Sequence, residues 1–182
     1  VTLLTSGTGG DVIFDNGSTD LTLGTITVGG DLTLDTNATA TQTFSNSITL
    51  SGGDLSINVG GALTMTGTTT IFDAGSGTIS LVSNGDMTLR QVKTINTTST
   101  AISLTKNGGN VLDGGDTNED VTATGGTVVV STGGGTFGTD ANAIEITSAS
   151  LSTSGIPVTV VSPTSDETLS GTSETVGQAS VD

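Results

Sequence analysis

The residues best suited to chemistry in this chain are carboxylates. Asp113, Asp116, Glu119 and Asp120 fall close together in one short stretch. A close carboxylate pair can act as acid and base at a glycosidic bond. A cluster of carboxylates can instead hold calcium, which takes hard oxygen ligands. The segment Gly114-Gly115-Asp116-Thr117-Asn118-Glu119-Asp120-Val121 partly matches the Gly-Gly-x-Gly-x-Asp-x-apolar calcium repeat. Thr117 stands where that repeat has its third glycine, Glu119 stands where it has Asp, and the match does not recur in tandem. The expected state is therefore a solvated acidic loop, with Asp113, Asp116 and Asp120 as the candidate calcium ligands.

Other chemistry is narrowed by what is missing. The chain has no His and no Cys, which removes Ser-His-Asp and Cys-His nucleophiles and most metal hydrolases. It has no Trp or Tyr to stack on a sugar ring. The expectation is a protein that is not an enzyme and carries no cofactor beyond possible calcium. The alternative kept open is a β-helix that binds or cleaves polysaccharide through the carboxylates. The net charge of −15, with only Arg90, Lys93 and Lys106 as cations, argues against nucleic acid, whose binding needs a basic surface to release counterions. No apolar run is long enough to span a bilayer.

The elements that position these residues read as short strands. Short segments with apolar ends, most with a small polar centre, recur along the chain: Leu21-Thr22-Leu23, Leu32-Thr33-Leu34, Ile48-Thr49-Leu50, Leu55-Ser56-Ile57, Leu63-Thr64-Met65, Ile79-Ser80-Leu81, Met87-Thr88-Leu89, Ile102-Ser103-Leu104, Val128-Val129-Val130, Ile144-Glu145-Ile146 and Val158-Thr159-Val160. Period two is the mark of a strand with one buried face. Gly-Gly-Asp turns at Gly9–Asp11, Gly29–Asp31 and Gly52–Asp54 lie about 20 residues apart. Hairpin turns are not systematic, and four Phe are too few for a typical sandwich core. The prediction is an all-β parallel β-solenoid of about 20 residues per coil, with roughly eight coils in a rod about 40 Å long. Gly is expected to supply positive φ at the corners, and Asp to cap its own turn.

Residues 1–161 form the predicted shaft, and the polar stretch 162–182 a tail or connector. The Thr-x-Thr pairs, as at Thr25/Thr27 and Thr64/Thr66, are read as good outward strand residues that keep no fixed place per coil. Asn16, Asn37 and Asn96 head glycan-acceptor triplets of the kind that arise by chance in a Thr-rich chain.

The Gly-Gly-Asp turns followed by Leu-Thr-Leu resemble the repeats of filamentous-haemagglutinin-type exoproteins. The segments Val111–Asp116 with Asp120–Ala123, and Gly134–Ile146, are similar to ones in giant bacterial adhesins of that type. The resemblance implies a right-handed β-helix, secretion to the bacterial surface, and a role in adhesion or biofilm matrix, with host surface or matrix polysaccharide as partner. The strand-like start Val1-Thr2-Leu3-Leu4 shows no capping helix. An exposed strand edge invites pairing, so the coil is expected either to continue in a longer chain or to stack end to end on a second copy as a surface filament.

Overall fold

A computed structural model of the chain describes residues 3–5, 9–36, 39–116, 118–139, 142–154, 160–161 and 168–171. It is a parallel β-solenoid of about six turns, roughly 23 residues apart. The strand register thus corrects both the shorter repeat and the larger number of coils expected from the sequence. Along one column the partners are Val12, Leu32, Leu55, Ile79, Ile102, Val128 and Leu151. The step from Val12 to Leu32 is the shortest of these, and the step from Ile102 to Val128 is the longest. At about 4.8 Å per paired strand, six turns make a rod about 30 Å long.

Each of the first five coils contributes a strand to each of three ladders. The first ladder stacks Val12–Asp15, Leu32–Thr36, Leu55–Val59, Ile79–Ser83 and Ile102–Lys106. The second stacks Leu21–Leu23, Gln42–Phe44, Leu63–Met65, Met87–Leu89 and Val111–Asp113. The third opens on Leu3–Leu4, ahead of the first coil, and continues with Ile26–Val28, Ile48–Leu50, Ile71–Asp73 and Gln91–Thr94. The long strands Val121–Thr132 and Ile144–Ser154 turn a corner, so each begins on the third ladder and ends on the first. We count coils by their first-ladder strand: the fifth starts at Ile102, and the sixth at Val128 in the later half of Val121–Thr132. Val160–Val161 and Thr168–Gly171 pair with Ile144–Ser154 on the third and first ladders. Val158, Thr159 and most of 162–182 lie outside the described residues.

The alternation seen in sequence becomes a filled centre. Leu34, Ile57 and Leu81 stack in one column, fully buried, with Leu104 next to them. Phe44 and Phe72 meet edge to face with ring centroids 4.9 Å apart. Such stacking removes apolar surface from water along the whole rod, and this burial is the main favourable contribution to folding. Single outward threonines do align in the first four coils of the second ladder, where Thr22, Thr43, Thr64 and Thr88 are in register and Leu112 takes the place in the fifth.

The Gly-Gly-Asp turn works differently from the expectation. Here Asp reaches along the rod, whereas at other corners it caps its own turn as expected: Asp15 Oδ1 accepts the N–H of Gly17 and Asp73 Oδ1 that of Gly75. The backbone N–H of Asp31 donates to Asp11 Oδ1 at 2.9 Å, that of Asp54 to Asp31 Oδ1 at 2.8 Å, and that of Thr78 to Asp54 Oδ1 at 2.7 Å. At the corner between the first and second ladders, Asp86 Oδ1 accepts the N–H of Asn110 at 2.7 Å, and Asn110 Oδ1 that of Thr136 at 3.1 Å. The second glycine is needed for packing: a Cβ on Gly53 would fall on the carbonyl oxygen of Gly30, and one on Gly77 on that of Gly53.

Candidate functional site

The second ladder shows where the scaffold departs from its own rule. One inward column runs Leu23, Phe44, Met65, Leu89 and then Asp113. Four coils place an apolar side chain there, and the fifth places a carboxylate that is 8% exposed. The corner that follows is also altered. In the fourth coil Arg90 alone joins Met87–Leu89 to Gln91–Thr94, whereas in the fifth residues 114–120 join Val111–Asp113 to Val121–Thr132. This longer corner falls within the longest step, Ile102 to Val128.

The altered corner gathers three acids. Carboxylate oxygens of Asp113, Asp120 and Glu145 all lie within 4.8 Å of one another. Asp120 immediately precedes Val121, and Glu145 precedes Ile146, which is the register partner of Val121. The two acids are thus stacked from neighbouring coils. Asp120 is fully buried: its Oδ2 accepts the N–H of Glu145 at 3.3 Å, and its Oδ1 has no partner. Glu145 Oε2 is likewise buried without a partner. Asp113 Oδ1 accepts the N–H of Gly115 at 2.7 Å, and its backbone carbonyl accepts from Asn142 Nδ2 at 3.2 Å.

The electrostatics follow from this crowding. Burial, and then the charges of Asp113 and Glu145, push the Asp120 carboxyl up to about 9. Burial also raises Glu145, with Asp113 adding to it, although the neighbouring Asp120 carboxyl opposes the rise. Asp116 behaves oppositely. Burial works to raise it, but Arg90 and Asn118 outweigh burial and hold it below the usual carboxylate range. Arg90 Nη1 lies 2.9 Å from Asp116 Oδ2, with both side chains 13% exposed.

Of the three predicted calcium ligands, Asp113 and Asp120 come together, whereas Asp116 is engaged by Arg90. Glu119 points outward and accepts from Thr122 Oγ1 and Thr147 Oγ1 at 2.9 and 3.1 Å. The expectation of a solvated loop is corrected at Asp113 and Asp120, which are buried, Asp113 because it stands in a column that is apolar elsewhere. Glu145 is absent from the candidates read in the sequence, since it stands alone in a strand one coil beyond Asp120 and only the register brings it back. A signal for Asp113 does exist: aligning Val111-Leu112-Asp113 under Met87-Thr88-Leu89 puts the acid at an inward position.

The two lysines are engaged elsewhere. Lys93 pairs with Asp73 at 3.1 Å beside a surface hollow of about 280 Å³ lined by Gln91, Lys93, Asn118, Glu119 and Thr122. Lys106 is 1% exposed and donates from Nζ to the carbonyls of Gly109 and Gly134. Burial lowers its pKa, and Asp86 partly opposes that. In chemical terms the acid cluster can share protons or hold a hard cation. Asp120 is fully buried within it. No protein-family model, curated protein or solved structure matches the chain.

Proposed function

We propose that the chain is a structural shaft: a stiff spacer in a secreted bacterial surface protein of the filamentous-haemagglutinin type, serving adhesion or matrix assembly. The observation that carries this reading is the parallel stacking of coils through about six turns, with one register shift between Ala123 and Thr127. Each coil is joined to the next by backbone ladders and by Asp and Asn side-chain bonds that run along the rod. Such a solenoid gains stability coil by coil from its nearest neighbours and transmits length rather than chemistry. The likeness of its repeats to giant adhesins supports the surface location.

The test combines small-angle scattering with a panel of acidic and neutral polysaccharides, incubated with and without calcium while viscosity is followed. The expected result is an extended particle, unchanged viscosity and no saturable polysaccharide binding. Loss of viscosity, or saturable binding to one polymer, would replace the shaft with the polysaccharide-directed reading.

A further inference from the structure

We propose that Asp113, Asp120 and Glu145 form a calcium site that clamps the fifth coil to the sixth. Two independent observations meet there. The first is a cluster of three carboxylates drawn from two coils, with one member occupying an inward column that other coils fill with Leu, Phe or Met. The second is the unpartnered Oδ1 of Asp120, in a side chain removed entirely from water whose carboxylate comes within 4.8 Å of the other two. A buried polar atom without a partner costs roughly 1–3 kcal/mol, more when charged, so a native structure needs something to meet it. Among the described residues no Lys or Arg side chain pairs with any of the three; Arg90 is committed to Asp116 and Lys93 to Asp73.

Geometry favours calcium among hard cations. Oxygens that share one calcium at about 2.4 Å can lie no further apart than about 4.8 Å. The three carboxylates meet that bound. Magnesium binds at about 2.0–2.1 Å, demands a near-octahedral shell and dehydrates reluctantly, so a buried nest of protein carboxylates suits it poorly. Water would complete the shell. Bound calcium would tie the end of Val111–Asp113, the start of Val121–Thr132 and the start of Ile144–Ser154 to one centre. This inference does not depend on the shaft reading: the site would stand in an enzyme as well as in a spacer.

The experiment uses the full 182-residue chain, stripped with chelator and titrated calorimetrically with calcium chloride or magnesium chloride, alongside thermal melts. The expected result is one calcium per chain and a higher melting temperature, with magnesium weaker by roughly tenfold or more. D120N and E145Q should each lose roughly tenfold or more in calcium affinity, and D116N should lose less than about twofold. Hydrogen exchange on the wild-type chain gives a readout that no variant can confound: calcium should slow the amides of 113–123 and 144–148 and leave those of 32–36 unchanged. The proposal is overturned if the wild type takes up no calcium at millimolar concentration, if magnesium binds equally well, or if D120N and E145Q both bind as the wild type does.

Discussion

The coils from Leu32 to Leu89 and the corner formed by Asp113, Asp120 and Glu145 are built on the same ladders, yet they solve opposite problems. In the regular coils, charge stays at the surface and does mechanical work: Asp31 and Asp54 stand at the edge and bond forward to the next coil. At the fifth coil, charge occupies the place of a core residue, and in the acid cluster there Asp120 Oδ1 and Glu145 Oε2 find no partner. The same residue type is a cross-link in one setting and an unsettled charge in the other, because position relative to the ladder decides whether water can solvate it. A solenoid makes such a contrast easy to build, since one substitution and one longer corner disturb a single rung and leave its neighbours intact.

The largest effect should come from breaking the regular stack. Gly53→Ala would drive a Cβ into the carbonyl of Gly30, where backbone rather than a flexible side chain has to yield. A loss of about 3 kcal/mol is expected, read as a fall in the urea midpoint. A loss below about 1 kcal/mol would mean that the coils separate more easily than the close packing requires.

Next comes conversion of the special corner into a regular rung. Asp113→Leu restores the column of Leu23, Phe44, Met65 and Leu89. Without calcium it should stabilise the chain by about 2 kcal/mol, since a buried charge is exchanged for a buried leucine. In calcium the variant should lose the advantage, because the wild type gains the ion and the variant cannot. A variant less stable than the metal-free wild type would show that Asp113 is satisfied as it stands.

The corner should also set the pH response of the metal-free protein. Asp120 is raised to about 9 in the fold, mainly by burial and then by Asp113 and Glu145; in an unfolded chain an Asp titrates near about 3.9. Between these values the folded state binds the proton that the unfolded state has released, so this group's contribution to stability falls as pH rises through that window. Asp113, Glu145, Asp116 and Arg90 are the charged groups around it. The metal-free melting temperature should therefore decline from pH 5 to pH 8, and D120N should flatten the decline. An unchanged slope in D120N would place the titration elsewhere.

How far these features are legible in the sequence depends on distance along the chain. Period-two triplets such as Leu63-Thr64-Met65 reveal strand and buried face locally, and that is enough for the solenoid. The repeat length reads too short because the first two Gly-Gly-Asp turns, Gly9–Asp11 and Gly29–Asp31, are closely spaced, whereas later corners, above all 114–120, are longer. Strands whose inward residue is flanked by other apolar or charged groups, such as Ile71–Asp73 around Phe72 and Gln91–Thr94 around Val92, are hidden by that flanking. Glu145 is unreadable as a site residue for a different reason: its partners lie a full coil away, and no local pattern encodes a contact that only the register creates.

The smallest predicted effect tests the other side of the contrast, the surface Asp ladder. Asp31 accepts the N–H of Asp54 across coils in an exposed position. Asp31→Ala should cost about 1 kcal/mol, the net worth of one such bond where water competes for both partners. Asp31→Asn keeps an acceptor oxygen in nearly the same place and should recover most of that loss, measured by urea unfolding of the two variants side by side. If Asn recovered nothing, the charge rather than the acceptor geometry would hold the ladder. Edge and corner would then differ in kind, since the edge would depend on an ionised carboxylate whereas the metal-free corner keeps Asp120 protonated near neutral pH.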